Sequence, residues 1–275
     1  MTSRDAWHPD PGLGLVLGSG AARGAAHAGV LLALAEAGVR PGVVVGTSAG
    51  ALVGGVWAAG TSAEVVVEQV LTATWEDFGR PRPGRAGLAL IETAALRSRL
   101  ASVFGGRRIE ELPVRFGAVA TDIVTRRAIL LDRGDPARAI QASLAVPGVF
   151  PPVRVGTGVM VDGVLTSPVP VWAAHRLGAR RTIAVRLRTE TPSGPGQNLW
   201  RAVVPQADDV QADLELVIDT AGYSSWSTRD VPYLVDLGYQ ATRDALRDAV
   251  DLGDSALPAG GDVRGGIVEV HRAIA

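Results

Sequence analysis

The sequence from Leu13 to Gly50 reads LGLVLGSGAARGAAHAGVLLALAEAGVRPGVVVGTSAG. The short apolar run Leu13–Leu17 predicts a buried strand, and the apolar spacing from Gly24 to Ala37 predicts a helix that ends at a glycine. Val43–Val45 predicts the next strand. Such a strand–helix–strand unit implies parallel strands joined by a right-handed crossover. The stretch therefore predicts an α/β fold.

The second glycine-rich string, Gly46-Thr47-Ser48-Ala49-Gly50, matches the G-x-S-x-G pattern of a nucleophile elbow. In that motif a strand turns sharply into a helix, which is predicted here from Ala49 to Ala59. Ser48 then lies at a helix N-terminus, where unpaired N–H groups and the helix dipole favour a developing alkoxide. Ser48 is therefore the candidate nucleophile, with Gly46 and Gly50 allowing the close approach of strand and helix.

The first glycine-rich string supplies a candidate oxyanion hole. The loop leaves a strand and enters a helix, so its backbone N–H groups can converge on a negative oxygen. The predicted donors lie within Gly20, Ala21, Ala22, Arg23 and Gly24, mainly in the first three residues. A dinucleotide-binding loop is the weaker alternative, because Arg23 stands where that fingerprint needs its third glycine.

A serine nucleophile needs a base, and the sequence offers two solutions. Asp162 ends the second arm of a predicted hairpin and would accept the Ser48 proton directly if burial raised its basicity. An ordinary turn aspartate is the alternative interpretation of this residue. The other solution uses His271, because Ser48, Asp162 and His271 follow the Ser–Asp–His order of α/β-hydrolases. Of the other histidines, His8 is predicted in a terminal arm, and His27 and His175 are predicted to pack or cap helices.

Composition bounds the chemistry of the chain. The 275 residues, 47% of them hydrophobic, predict one large domain over residues 13–275, after a flexible arm over residues 1–12 and with residues 198–275 as a helical cover. Cysteine and lysine are both absent from the sequence, which excludes disulfides, thiolate metal sites and Walker A phosphate loops. A net charge of -1 argues against nucleic-acid binding. The predicted chemistry needs no metal or organic cofactor.

The N-terminal residues lack the apolar segment of a signal peptide, so a cytoplasmic location is expected. The uncharged stretch Pro41–Ala63 is long enough to span a bilayer, but a strand–turn–helix explains the same residues better. Arginine clusters, including Arg126 and Arg127, are interpreted as solvated surface. Peripheral contact with anionic lipid head groups is the alternative, and oligomeric state is not predicted.

Further elements follow from periodicity and from turn residues. Helices are predicted at Glu64–Phe78, Thr93–Phe104, Pro136–Leu144, Pro168–Leu177 and Val231–Val250. Strands are predicted at Val114–Ala120, Ala128–Leu131, Val153–Val155, Val159–Val161 and Thr182–Leu187.

The order of oxyanion loop, elbow and Asp162-Gly163 resembles the patatin-like phospholipase family. The resemblance covers most of Leu13 to Leu187 and includes Ala120-Thr121-Asp122 and the run from Ala142 to Val153. It implies a three-layer α/β/α fold with a mainly parallel central sheet. It also implies a Ser48–Asp162 dyad that hydrolyses esters of acyl lipids through an acyl-enzyme.

The chain departs from the family pattern at three positions. Ser19 and Ala21 replace glycines of the oxyanion loop, and Val164 follows Asp-Gly where the family has glycine or alanine. Asp122 and Ser143 are interpreted as structural residues, one at a turn and one anchoring a loop. A lipid-binding or regulatory module with the same fold and negligible turnover is the alternative from another functional class.

Overall fold

The computed structural model of the protein describes residues 9–81, 91–188, 210–251 and 266–270. His8, His271 and most of the predicted N-terminal arm lie outside these residues. Within them the chain forms strands β1 (Asp10–Leu17), β2 (Pro41–Thr47), β3 (Arg80–Pro81), β4 (Ile91–Glu92), β5 (Arg115–Asp122), β6 (Arg127–Leu131), β7 (Val153–Val155), β8 (Gly158–Asp162), β9 (Arg181–Arg188), β10 (Leu214–Asp219) and β11 (Gly266–Val270). The α-helices are α1 (Ala26–Glu36), α2 (Ala49–Ala58), α3 (Ala63–Thr72), α4 (Trp75–Phe78), α5 (Ala94–Phe104), α6 (Pro136–Ser143), α7 (Val171–Arg176) and α8 (Val231–Asp251).

Nine of these strands form one sheet in the order β11-β10-β9-β1-β2-β5-β8-β7, with β6 also paired to β5. The pairs from β11 to β5 are parallel, whereas β6, β7 and β8 join antiparallel. This arrangement confirms the predicted α/β fold with a mainly parallel sheet. Because β1, β2, β5, β9 and β10 run in the same direction, they all end at one side of the sheet, here called the carboxyl edge.

The two faces of the sheet bury different sets of side chains, because successive residues of a strand point to opposite sides. One face packs against α1, α2, α5, α6 and α8, and its buried side chains include Leu15, Leu17, Phe116, Ile140 and Leu234. The other face packs against α7, and its buried side chains include Val16, Val43, Val45, Val119 and Ala174. Helices therefore cover both faces, as the expected three layers require.

The long helix α8 is held to the domain by direct backbone contact with α1. A Cβ atom on Gly29 would lie 1.9 Å from the Val235 carbonyl oxygen, and one on Gly238 would lie 2.0 Å from the Ala26 carbonyl oxygen. Any side chain at either glycine would force the two helices apart. The contact fixes α8 against the helix that follows the oxyanion loop.

The structure corrects two predicted helices. The helix predicted over Glu64–Phe78 is two helices, because Ala73 is extended (ψ 136°) and α4 starts anew. The Thr74 N–H donates to the Asp77 carboxylate (2.7 Å), which caps that new start. The helix predicted over Gly24–Ala37 also has two parts, a 3₁₀ turn over Ala21–Ala25 and then α1.

The C-terminal third of the chain contains strands as well as the predicted helix. Strands β10 and β11 extend the parallel sheet, so residues 198–275 are not the purely helical cover expected from the sequence. The acidic residues of β10 hide its strand pattern. In the structure these charges have partners, since the Arg186 guanidinium donates to Glu215 (2.5 Å) and the Thr182 N–H donates to Asp213 (2.7 Å).

The uncharged stretch from Pro41 folds as β2 and α2. Among the described residues, no helix combines the length and hydrophobicity that crossing a bilayer requires. The first strand begins at Asp10, three residues before the strand predicted from Leu13.

Candidate active site

Ser48 lies at the sharp turn between β2 and α2. Its backbone has φ 56° and ψ -121°, a strained conformation for a residue that bears a Cβ atom. The neighbouring glycines permit the turn, because a Cβ on Gly50 would lie 2.1 Å from the Leu17 carbonyl oxygen and one on Gly46 would lie 2.3 Å from the Gly50 carbonyl carbon. The geometry is that of a nucleophile elbow.

Ser143 fixes this elbow in place. The Ser48 N–H donates to the Ser143 hydroxyl oxygen (2.8 Å), and that hydroxyl donates to the Val119 carbonyl (2.6 Å). Ser143 is fully buried at the C-terminal end of α6. Its side chain therefore ties the elbow to β5, which is the anchoring role expected for it.

Asp162 meets Ser48 from strand β8, which lies on the other side of β5 from β2. The Ser48 hydroxyl donates to Asp162 Oδ2 at 2.7 Å, and the Val164 N–H donates to Oδ1 at 2.8 Å. The backbone of Asp162 is held as well, by its N–H donating to the Ala145 carbonyl (2.9 Å) and its carbonyl accepting from the Thr121 hydroxyl (2.9 Å). The carboxylate is thus aimed at Ser48 without an imidazole between them.

The environment of the pair raises the basicity of the carboxylate. Ser48 is 4% exposed and Asp162 is 1% exposed. Burial raises the pKa of Asp162 to about 7, while the hydrogen bonds from the Val164 N–H and the Ser48 hydroxyl favour the carboxylate and oppose that rise. A carboxylate of this pKa can accept a proton near neutral pH. The competing carboxylate, Asp122, accepts from the Val124 N–H (3.0 Å) at the β5–β6 turn, a structural role.

The two histidines within the described residues have structural contacts. The His27 ring donates from Nε2 to the Gly18 carbonyl (2.7 Å), which holds the start of the oxyanion loop. Burial lowers the pKa of His27 to about 4, so the ring is neutral. His175 Nδ1 lies 3.0 Å from the Ala179 carbonyl oxygen, just beyond the end of α7.

Some of the predicted oxyanion donors already donate a hydrogen bond within the protein, whereas others do not. The Ala22 N–H donates to the Ser225 carbonyl (3.0 Å), and the Arg23 N–H donates to the Gly20 carbonyl (3.1 Å). Within the described part of the chain, the N–H groups of Gly20 and Ala21 have no hydrogen-bond acceptor. Gly24 packs against the residue after the nucleophile, since a Cβ there would lie 2.3 Å from the Cβ of Ala49.

Ser225 supports the loop, and the sequence analysis did not identify it. Besides its carbonyl contact to Ala22, its hydroxyl accepts from the Arg23 guanidinium (2.5 Å). The two residues are 202 positions apart in the chain. No local pattern signals such a contact, because only the fold brings the segment after β10 next to the oxyanion loop.

Ala21 carries the backbone strain expected where a glycine is replaced. Its φ of 51° is in the left-handed region, where a Cβ atom is unfavourable. We expect Ala21→Gly to raise the free energy of unfolding by about 0.5 to 1 kcal/mol, because relief of strain outweighs the added entropy of the unfolded chain. Urea denaturation measures the change. Ala22→Gly is the matched control and should lower stability, and equal effects of the two substitutions would contradict this account.

A cavity of about 170 Å³ opens beside Ser48. Its lining is mostly apolar, with Leu52, Val53, Val56, Val66, Val70, Leu96, Leu100, Val103, Leu144, Phe150 and Val231 among the contributing side chains. Trp226 stacks on Trp75 at a ring-centroid distance of 5.8 Å, and both line the cavity. Trp57 is buried in the core and does not line the cavity. The cavity can hold an extended apolar group next to the hydroxyl.

A metal centre does not form within the described ranges, where no three histidine or acidic side chains come together. Ser48 lines the apolar cavity, and its hydroxyl is hydrogen-bonded to Asp162.

Comparisons with known proteins identify related sequences. The model of a family described as patatin-like phospholipase matches residues 15–175. An uncharacterized NTE family protein of Mycobacterium tuberculosis is 36% identical over 190 residues, which cover 68% of this chain and 52% of that protein. The lysophospholipase nte1 of Emericella nidulans is 32% identical over 205 residues, covering 68% of this chain and 13% of that protein. The chain thus spans about half the length, or less, of these curated relatives.

The fold also matches a solved structure. VipD from Legionella pneumophila superposes with a TM-score of 0.60, covering 88% of this chain and 67% of VipD at 14% sequence identity. At that identity the likeness concerns the fold alone.

Proposed function

The chain belongs to the patatin-like phospholipase family, and from this membership we propose that it is a serine acyl hydrolase that cleaves carboxylic esters of acyl lipids. Ser48 is the nucleophile and Asp162 is its base. The observation that carries the proposal is the 2.7 Å hydrogen bond from the Ser48 hydroxyl to a buried carboxylate, at the end of an apolar cavity.

Acylation begins with transfer of the Ser48 proton to Asp162 Oδ2 as the serine oxygen attacks the ester carbonyl carbon. The hydrogen bond already joins donor and acceptor, and a pKa of about 7 places the carboxylate near the optimum for a general base at neutral pH. The tetrahedral intermediate then collapses, and the leaving alcohol takes the proton back from Asp162. This leaves an ester between the acyl group and Ser48.

Deacylation repeats the same steps with water. Asp162 accepts a proton from the water that attacks the acyl carbon, and the released Ser48 oxygen recovers that proton. In both halves the negative oxygen is stabilised by backbone donors of the Gly20–Gly24 loop. The N–H groups of Gly20 and Ala21 are the best candidates, because those of Ala22 and Arg23 already have acceptors.

The cavity supports an acyl-lipid substrate. Apolar residues of α2, α3 and α5 line it, so a hydrocarbon chain bound there loses contact with water while its ester carbon stays at Ser48. The name of the Emericella relative, a lysophospholipase, agrees with such a substrate class. The reaction itself requires no cofactor.

A substitution at Val56 tests the role of the cavity. Val56 lines it eight residues beyond Ser48 along α2, a distance of about 12 Å. We expect Val56→Phe to lower kcat/KM for p-nitrophenyl dodecanoate by at least about tenfold, because the larger ring occupies the path of the chain. Hydrolysis of p-nitrophenyl butyrate should change by less than about twofold, since a short chain ends before Val56.

Val56→Ile is the control, because it changes the shape of the side chain but adds too little volume to fill the cavity. Equal losses on the long and short esters in Val56→Phe would indicate general damage to the site and count against the cavity as the acyl pocket. Thermal melting of each variant separates such damage from unfolding.

A further inference from the structure

Half of the exposed large hydrophobic side chains in the described residues lie in the segments that follow β5, β8 and β10. Eight such side chains are exposed, among them Val124 at 73% and Trp226 at 47%. Ile123 and Val124 form the turn after β5, Val164 follows Asp162 at the end of β8, and Trp226 belongs to the segment after β10. These four residues are here called the apolar rim. Monomeric soluble domains rarely gather exposed apolar groups beside a site without a binding role.

The apolar rim lies around the proposed active site. Thr47 pairs with Val119 and Ala120 pairs with Asp162, so Ser48 and Asp162 lie level with the last third of β5. Val124 lies in the turn that follows Asp122, beyond that level along the direction of β5. At the other end of the site, Trp226 lines the mouth of the cavity. The turn after β5 therefore projects past the dyad at the carboxyl edge.

Two arginines place positive charge beside the apolar rim. Arg126 and Arg127 directly follow the exposed turn residues, both are exposed, and neither forms an ion pair with the described residues. The adjacent Asp122 carboxylate is buried and accepts from the Val124 N–H. An apolar tip flanked by unpaired guanidinium groups complements a surface that presents negative charge above hydrocarbon.

We propose that the carboxyl edge docks on anionic phospholipid bilayers, with Ile123 and Val124 entering the interface and Arg126 and Arg127 contacting lipid phosphates. The proposal rests on the proposed acyl-hydrolase function in one respect: docking would bring the mouth of the cavity to the lipid substrate of the enzyme. An acyl chain then passes from the bilayer into the cavity next to Trp226. The docking residues touch neither the dyad nor the cavity lining.

Vesicle sedimentation tests the proposal in a Ser48→Ala background, so that binding is measured without hydrolysis. The probes are vesicles of phosphatidylcholine alone and of phosphatidylcholine with phosphatidylglycerol. We expect the double substitution Ile123→Ser, Val124→Ser to lower the partition coefficient by about tenfold or more on both vesicles. Arg126→Gln with Arg127→Gln should lower it by about tenfold or more on the anionic vesicles only.

Val65→Ser is the control, because Val65 is also apolar and exposed (41%) but follows α2, which runs about 15 Å away from the carboxyl edge. It should leave vesicle binding unchanged. Absence of vesicle binding by the parent protein, an unchanged partition coefficient in the Ile123/Val124 variant, or an equal loss in Val65→Ser would each overturn the proposal. So would a dimer that the Ile123/Val124 substitutions dissociate without any vesicle binding.

Hydrolysis of p-nitrophenyl butyrate separates this inference from the proposed function. With Ser48 intact, the Ile123/Val124 and Arg126/Arg127 variants should hydrolyse this dissolved ester at the parent rate. A parent protein that binds vesicles but hydrolyses no ester would refute the proposed function and leave the docking surface standing. A parent protein that hydrolyses p-nitrophenyl butyrate but does not bind vesicles would refute the docking surface and leave the proposed function standing.

Discussion

Ser48→Ala is expected to lower ester hydrolysis by at least about 10⁴-fold, because it removes the hydroxyl on which the proposed acyl-enzyme forms. The fold should survive, since the substitution removes only a hydroxyl that donates to Asp162 and keeps the N–H that donates to Ser143. Intact-mass spectrometry after treatment with a fluorophosphonate provides the direct measurement. The parent protein should gain one adduct per chain, and the variant should gain none.

This measurement also separates the proposed enzyme from a lipid-binding module of the same fold. A folded parent protein that takes up no adduct and hydrolyses no ester would favour the binding module. The Ser–Asp–His alternative requires a second variant, His271→Ala. Loss of labelling in a folded His271→Ala protein would favour that triad, whereas an unchanged labelling rate would favour the dyad.

Asp162→Asn is expected to slow fluorophosphonate labelling by about 10³- to 10⁴-fold, because the amide keeps the shape of the side chain but cannot accept the Ser48 proton. The pH dependence gives a sharper signature. With a pKa of about 7 for Asp162, the parent rate should rise about tenfold per pH unit below pH 7 and level off above it. The asparagine variant should lack this rise, and an identical pH profile in both proteins would exclude Asp162 as the base.

The same substitution should stabilise the protein at alkaline pH. Because burial raises the folded-state pKa of Asp162 above its ordinary value of 3.8, the native state favours the protonated carboxyl, and stability is lost as pH rises through about 7. A neutral asparagine avoids that loss. We expect Asp162→Asn to raise the free energy of unfolding at pH 8 by a few kcal/mol, on the order of 4 at most, and to change it little at pH 4.

Urea denaturation at the two pH values measures this effect. Asp122→Asn is the matched control, because its carboxylate also accepts a backbone N–H but belongs to a turn away from Ser48. It should produce neither the slow labelling nor the alkaline stabilisation. A less stable Asp162→Asn protein at pH 8 would indicate that the carboxylate is ionised in the native state at lower pH than its burial implies.

The sequence by itself determined the features that depend on neighbouring residues. Strand β2, the elbow with its two glycines and helix α2 follow one another directly in the chain, and they fix the backbone at Ser48 because only glycine fits at Gly46 and Gly50. The apolar runs likewise predicted the main parallel strands, and the order of the motifs identified the family. Local sterics and hydrophobic periodicity suffice for these conclusions.

The features that depend on contacts between residues far apart in the chain were decided by the tertiary structure alone. The approach of Asp162 to Ser48 spans 114 positions, and the support of Arg23 by Ser225 spans 202. The raised pKa of Asp162 follows from burial by several elements, and the apolar cavity is assembled from helices and loops far apart in the chain. Burial and long-range contact are properties of the packed chain, so no local pattern of residues encodes them.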